Sequence, residues 1–475
     1  MSKYLELNLK EIHELLKNKK ITPKDLVLES FERIEKSKEL NAYITLNKES
    51  ALKQAEELES KEVDNILFGL PIAIKDNIVT KDLRTTAASH ILDNFIPIYD
   101  ATVVEKIKNK NMIIIGKTNM DEFGMGSTSK TSYFGAPHNP KDSSKIAGGS
   151  SGGSGVTVSN HDVLFALGTD TGGSIRIPAS YCGIVGMKPT YGRISRYGVI
   201  AFASSLDQVG PMTRNVTDNA QILNILVGRD ERDLTSASIN DEDFTRFIGN
   251  DIKGKKVAIP NYFVSDVVSP EVKNRLKKVI SLLEENGCII DYVDIDYIEN
   301  AETLYQIIGM GEASSNLARF DGIRYGYRKK NPTDINDLYL STREVGFGEE
   351  VKRRIMVGSY LLSGENAKTY YNKAMQIRYA MKKSFDKIFE KYDFVVGPTT
   401  TTTAVNIDSN MSDFADDILL IPANMTGLPA MSIPMGTNDK GLPIGFQIIG
   451  SAFDEANMYG FASFIEKMLE GESYE

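Results

Sequence analysis

The chain of 475 residues has no tryptophan, only two cysteines and four histidines, and no basic excess: 55 Lys and Arg stand against 64 Asp and Glu, a formal net charge of -9. Cys182 and Cys288 are too few for a disulfide framework, and no CxxC pair offers a zinc or redox site. The acidic balance argues against tight autonomous nucleic-acid binding, which needs a basic footprint to neutralise phosphates. A local basic patch, or a partner that does the binding, stays compatible with it. No run approaches the roughly 18 apolar residues of a membrane span. The opening stretch, MSKYLELNLKEIHELL, is charged and amphipathic rather than signal-like, so the cytosol is the expected compartment. The histidines fall at 13, 90, 138 and 161, and none follows. A base other than histidine is therefore expected for any catalysis.

What is present suits a large core: 41% of residues are hydrophobic and 25% charged, the balance of a globular protein. The length permits two or three domains or one large α/β domain. Residues 8–60 read as helices, with Thr22-Pro23 as an N-cap followed by proline at the first helical position. LFGLPIAIKDN, from 67, is an apolar run ending in polar residues, the pattern of a buried strand whose end reaches a site. A helix and strand follow in DATVVEKIKNKNMIIIGKTN. Beyond 250, KKVAIPNYF, PEVKNRLKKVISLLEENG and CIIDYVDIDY make a strand–helix–strand unit. Helices are expected at 299–319 and 366–391, then DFVVGPT, a proline-rich stretch IPANMTGLPAMSIPMG, the strand PIGFQIIG and a final helix.

The segment 116–198 holds 16 of the 38 glycines, more than twice an even share. Glycine concentrates where backbone must turn tightly or approach a ligand closely. KIAGGSSGGSG alone reads equally well as a flexible linker, but a buried strand and a second Gly/Ser loop, DVLFALGTDTGGSIRIPASYCG, follow at once. Three chemistries compete for this region. Gly148 to Gly152 formally matches G-x-S-x-G, yet the preceding KDSSKIA is polar and turn-like, and the only later histidine, His161, is too near to be a triad partner. Gly116-Lys117-Thr118 resembles the end of a phosphate-binding loop, but Asn111 stands where that motif needs glycine. The third reading uses serine with lysine as its base, which requires the amine to be neutral and hence buried or beside a cation. Lys75 ends the apolar run Leu70-Pro71-Ile72-Ala73-Ile74 and fits that need. Taken alone, it reads first as a strand-end charge in solvent, and the case for a base depends on what it meets.

Lys75, Gly148-Gly149-Ser150-Ser151-Gly152-Gly153-Ser154 and Gly168-Thr169-Asp170-Thr171-Gly172-Gly173-Ser174-Ile175-Arg176 together resemble the amidase signature family of Ser-cisSer-Lys hydrolases. The resemblance implies an α/β fold with a central mixed sheet covered by helices on both faces. It implies one amidase domain over 1–475, with N-terminal helices at about 8–60, a signature core at about 67–215 and a helical insertion at about 298–392. It also implies that Ser174 attacks an amide carbonyl and that Ser150, after a cis peptide bond, relays the proton to Lys75. The N–H groups of Thr171, Gly172, Gly173 and Ser174 would form the oxyanion hole. The alternative for Ser174 is a serine capping a helix start.

Further blocks narrow the branch. Lys117–Ser127, Lys188–Gly198, Phe202–Gln208, Glu312–Gly322 and Gly346–Ile355 resemble the glutaminase subunits of tRNA-dependent amidotransferases, the last two blocks not being general amidase features. That resemblance implies glutamine as substrate, the B and C subunits as partners in a heterotrimer, and ammonia passed to the B subunit. The B subunit would use ATP and Mg²⁺ and hold most of the charged tRNA, whether Glu-tRNA(Gln) or Asp-tRNA(Asn). No cofactor or metal is expected in this chain. A glutamine zwitterion needs a cation and an anion, and an arginine fork suits its carboxylate. By position in the family, Arg354 takes that role, Asp417 the ammonium, and Tyr305 a further contact. The alternatives are a solvated helix face for Arg353-Arg354 and a loop pair for Asp416-Asp417. Ala147 departs from a proline common before the Gly-Gly pair, and Gly124 and Gly126 loosen the loop after Phe123, where Gly124 is expected to line the pocket. A stand-alone amidase on another small amide is the competing function.

Overall fold

The computed structural model describes residues 3–239, 242–409 and 417–470; Asp416 and the tail after 470 lie outside them. One sheet of eleven strands organises the chain: β1 (Tyr43–Leu46), β2 (Pro71–Lys75), β3 (Ile113–Thr118), β4 (Phe165–Asp170), β5 (Val185–Lys188), β6 (Gln208–Thr213), β7 (Lys256–Pro260), β8 (Ile289–Val293), β9 (Phe394–Pro398), β10 (Ala430–Thr437) and β11 (Pro443–Gly450). Their order across it is β1-β3-β2-β4-β6-β5-β10-β11-β9-β7-β8. β2 runs parallel to β3 and β4, and β7 parallel to β8 and β9; the other pairs are antiparallel, so the sheet is mixed.

Alternation along the central strands shows why both faces are covered. Ile72, Ile74, Ile114, Phe165 and Leu167 join one apolar cluster, while Ala73, Ile113, Ile115 and Ala166 join another. Successive strand residues point to opposite faces, so each cluster is the core of one face. The helices are α1 (Leu9–Lys17), α2 (Pro23–Lys36), α3 (Lys48–Leu58), α4 (Thr102–Asn109), α5 (Gly152–Ser159), α6 (Arg176–Cys182), α7 (Val216–Leu226), α8 (Pro270–Glu285), α9 (Ala301–Asn316), α10 (Ile335–Gly346), α11 (Glu349–Leu362), the short α12 (Gly364–Asn366), α13 (Asn372–Phe389), α14 (Ile421–Thr426) and α15 (Glu455–Glu470). Apolar residues of α1, α4 and α7 complete the first core, and those of α2, α3, α5 and α6 the second. Thr22 caps α2 as its sequence indicates: its hydroxyl accepts from Asp25 N–H, and Asp25 accepts from Thr22 N–H.

Two sequence expectations need correction. Residues 8–60 are not all helical, because β1 separates α2 from α3 and pairs antiparallel with β3 at the sheet edge. The proline-rich stretch near 430 contains the eight-residue strand β10, which lies between β5 and β11. Pro434 sits where the β10–β11 register shifts, so the ladder tolerates it. No helix among the described residues is long and apolar enough to cross a membrane.

Candidate active site

β2 and β4 are parallel neighbours, with Ile74 opposite Leu167, so their C-terminal ends open at the same edge. Lys75 is the last residue of β2 and Asp170 of β4. The Lys75 amine is fully buried and reaches Ser150 Oγ at 2.7 Å, Ser151 Oγ at 2.8 Å, Thr169 Oγ1 at 2.9 Å and the Thr169 carbonyl at 3.2 Å. Burial lowers its pKa to about 7, against the charges of Asp121, Asp170 and Asp207, which raise it. A neutral amine donates two N–H groups, which Thr169 and Ser151 can accept, and keeps a lone pair for the Ser150 hydroxyl proton. This geometry excludes the solvated strand-end reading of Lys75.

Ser150 follows a cis peptide bond from Gly149. Gly149 is required by its surroundings: a Cβ there would lie 2.1 Å from Asp121 Oδ2 and 2.7 Å from Ser129 N. Asp121 holds the loop over Ser150, accepting from Ser129 N–H at 2.8 Å and from the Thr131 hydroxyl at 2.9 Å. Gly124 has φ +77°, and a Cβ at that position would sit 3.6 Å from Ser150 Oγ, which places this loop against Ser150.

Ser174 follows Gly173, whose φ is +132°. Its carbonyl accepts from Ser151 N–H at 3.1 Å, tying the second Gly/Ser loop to the first. Ser174 is a buried residue whose hydroxyl makes no hydrogen bond among the described residues, so the Lys75–Ser150 link is closed and the Ser150–Ser174 link is open. The loop shape comes from Asp170, whose carboxylate accepts from Gly173 N–H at 2.9 Å and Ile175 N–H at 3.2 Å. Gly173 N–H is thus committed to Asp170 and is withdrawn from the expected set of oxyanion donors. The N–H groups of Thr171, Gly172 and Ser174 remain without a partner among the described residues.

Arg176 lies against the other side of Asp170, at 3.0 and 3.1 Å, and also donates to Asn424 Oδ1 and Gln447 Oε1, each at 2.6 Å. Burial works against ionisation of Asp170, but the Arg176 guanidinium outweighs it and holds the acid well below the usual carboxylate range. Asp207 shapes the loop from the opposite side, accepting from the Thr171 hydroxyl at 2.8 Å and from Phe202 and Ala203 N–H at 2.9 and 3.1 Å. Burial lifts Asp207 to about 6. Nothing in their sequence context separates Asp170, Arg176, Asp207 and Asp121 from surface charges. Some of their partners are local, while two partners of Arg176, Asn424 and Gln447, come from distant parts of the chain.

The three expected pocket side chains converge here. Tyr305 on α9 packs against Gly172, where a Cβ would meet its ring at 2.8 Å. Burial pushes its phenol up; Arg354, hydrogen-bonded to it, pulls down, and the charges of Asp417 and Asp207 add to the rise. Arg354 on α11 is buried, reaches Glu350 at 2.6 Å and lies over the Phe202 ring at 5.4 Å. Arg353, in contrast, is exposed and pairs with the same Glu350, so only one of the two arginines is a helix-surface charge. Asp417 is buried just ahead of α14, where its carbonyl accepts from Leu420 and Ile421 N–H. Lys117, the near-miss of a phosphate loop, is buried on β3, bonded to Thr85 and the Ile78 carbonyl and 4.0 Å from Asp76.

A family model described as Amidase matches residues 25–458. The A subunit of glutamyl-tRNA(Gln) amidotransferase from Listeria monocytogenes serotype 4b is 52% identical over 469 residues, 97% of each chain. Among solved structures, the A subunit of glutamyl-tRNA(Gln) amidotransferase from Thermotoga maritima superposes with a TM-score of 0.82 at 38% identity, covering 98% of this chain and 96% of that one. The native peptide amidase of Stenotrophomonas maltophilia superposes with a TM-score of 0.83 at 25% identity, covering 99% and 98%.

Proposed function

Because the chain belongs to the amidase family, we propose that it is the glutaminase subunit of a tRNA-dependent amidotransferase, splitting glutamine to supply ammonia. The observation that carries the amide chemistry is the buried Lys75 amine, 2.7 Å from Ser150 and ionising near neutrality. Identity of 52% across nearly the whole chain favours the amidotransferase branch over a stand-alone amidase, for which the likeness is 25%.

In this reading neutral Lys75 draws the proton of Ser150, and Ser150 that of Ser174, as Ser174 Oγ bonds to the γ-carbonyl carbon of glutamine. The carbonyl electron pair moves onto oxygen and meets the N–H groups of Thr171, Gly172 and Ser174; one such donor is typically worth about 2.7–4 kcal/mol. When the tetrahedral species collapses, the C–N bond breaks and the nitrogen takes the proton back through Ser150, leaving as ammonia. Water then attacks the γ-glutamyl ester by the same relay and releases glutamate. Arg354 takes the α-carboxylate, Asp417 the ammonium, and Tyr305 closes the pocket beside the oxyanion loop, with Gly124 leaving room next to Ser150. The ammonia goes to a partner, the B subunit, which uses ATP and Mg²⁺ to activate the acyl group on charged tRNA, with the C subunit completing the complex.

Ser174→Ala in the reconstituted complex tests this. Glutamine-dependent amidation should vanish while amidation driven by free ammonia persists. Loss of both would make Ser174 structural and overturn the two-site picture.

A further inference from the structure

Glutamine has a short side chain, so its reacting amide and its α-carboxylate can be only a limited distance apart, which bounds the separation of the serines from Arg354. The two are carried by unconnected parts of the chain: Ser150 by the first Gly/Ser loop, with Gly124 against it, and Arg354 by α11. The side chain of Glu122 joins those parts. Glu122 stands two residues before Gly124 and is buried. Its carboxylate accepts from Gly348 N–H, the residue immediately before α11, at 2.9 Å through Oε2 and 3.2 Å through Oε1. It also accepts from the Ser89 hydroxyl, and Ser89 in turn reaches the Gly346 carbonyl at 3.3 Å.

The fit is close on both sides. A Cβ at Gly348 would lie 2.3 Å from Glu122 Oε2, so a larger residue there would displace the carboxylate from the start of α11. Phe123, with φ +53°, sets its ring edge-on to Phe347 at 5.7 Å and tilted against Phe320 at 5.0 Å, pinning the same junction. On the other flank Glu122 N–H donates to the Thr131 hydroxyl at 2.9 Å, and Thr131 to Asp121, the residue that holds the loop over Ser150. Negative charge at the start of a helix is also favourable in itself. Arg354 lies six residues past Gly348, about 9 Å along the helix axis, so a shift at the helix start moves the guanidinium directly. Burial lifts the Glu122 carboxyl to about 7 against the bonds from Ser89 and Gly348 and the charge of Lys352, which lower it.

We propose that Glu122 is a positioning residue that sets the start of α11, and with it Arg354, in register with the Ser150 loop, fixing the length of substrate the site accepts. The inference rests on the glutaminase reading above. It is tested in the reconstituted complex by glutamine kinetics of Glu122→Ala, Glu122→Gln, Arg354→Ala and the Glu122→Ala/Arg354→Ala double variant. Glu122→Ala should raise KM for glutamine by about tenfold or more, the weight of one lost bond to a charged acceptor, with a smaller change in kcat. Glu122→Gln, which keeps an acceptor for Gly348 N–H, should stay within about threefold of the wild type, and it serves as the readout if the alanine variant does not assemble. In the Arg354→Ala background, Glu122→Ala should add less than about twofold, because residues acting through one contact are not additive. Additive effects, a KM unchanged in Glu122→Ala, or a Gln variant as impaired as the Ala variant would overturn the inference. A wild-type complex that does not hydrolyse glutamine, or an Arg354→Ala variant with unchanged KM, would instead sink the reading beneath it.

Discussion

Lys75 ends a strand whose other residues are apolar, and its amine is sealed between Ser150, Ser151 and Thr169. Its ionisation near 7 gives the glutaminase a direct pH signature. The active form is the neutral amine, whose fraction grows with pH, so kcat/KM for glutamine should rise through about 7 and level off above it. A profile flat between pH 6 and 8 would remove Lys75 as the base. Lys75→Arg retains a cation but cannot deprotonate at working pH, and it should lose activity as severely as Lys75→Met, by about 10²–10⁴-fold. Measured steady-state rates of the two variants decide whether charge or basicity matters. Lys75 was legible in the sequence because burial follows from the apolar run before it. Asp170 and Arg176 were not, because the groups that hold them, Asn424 and Gln447, lie some 250 residues further on.

Among the elements, legibility followed strength of pattern. β2, β3, β4 and β11 are apolar runs and read directly as strands. β1 is only the four residues Tyr43–Leu46, too short a run to stand out between two helices, and none of them is buried. β10 and β6 contain Pro434 and Pro211, and a proline argues against a central strand. In β6 the objection is met because β5 pairs only with Met212 and Thr213, leaving Pro211 beyond that ladder. The loop between β4 and α6, which the proposed mechanism uses as the oxyanion hole, shows the same limit in finer detail. Its glycines announced close backbone approach, yet which N–H faces substrate depends on Asp170 capturing that of Gly173. Gly172 has a different duty, since Tyr305 occupies the space of its missing side chain. Gly172→Ala should therefore displace either the donor loop or the pocket tyrosine, lowering kcat/KM for glutamine by about 10²-fold, as a misplacement of about 1 Å can do. An alanine variant with wild-type kinetics would show that the loop and Tyr305 move independently of the chemistry.

Across the molecule, Arg176 connects the site to the sheet as a whole. It bridges Asp170 at the end of β4 to Asn424 on α14 and Gln447 on β11, strands that stand on opposite sides of β5, β6 and β10. All four side chains are buried. The scarcity of histidine and the net charge of -9 say little about such a clamp, because it is one pair of opposite charges removed from water. Replacing Arg176 by Met leaves the Asp170 carboxylate buried without its guanidinium, a change that typically costs about 3–5 kcal/mol. The pH dependence of that loss carries the diagnosis. In the wild type the folded pKa of Asp170 is depressed, so the pair stabilises the fold above the unfolded carboxylate pKa and loses that contribution only as pH falls through the lower folded value. In Arg176→Met burial is left to raise the Asp170 pKa, so the folded variant binds a proton that the unfolded chain has released, and its deficit grows as pH rises from acidic to neutral. Denaturant unfolding of both proteins at pH 5 and pH 8 measures this, each carrying Lys188→Met, because burial and then Arg176 lower Lys188 to about 7 and its own shift would otherwise add to the difference. A deficit equal at the two pH values would mean that Arg176 acts through its bonds to Asn424 and Gln447 rather than through the charge of Asp170.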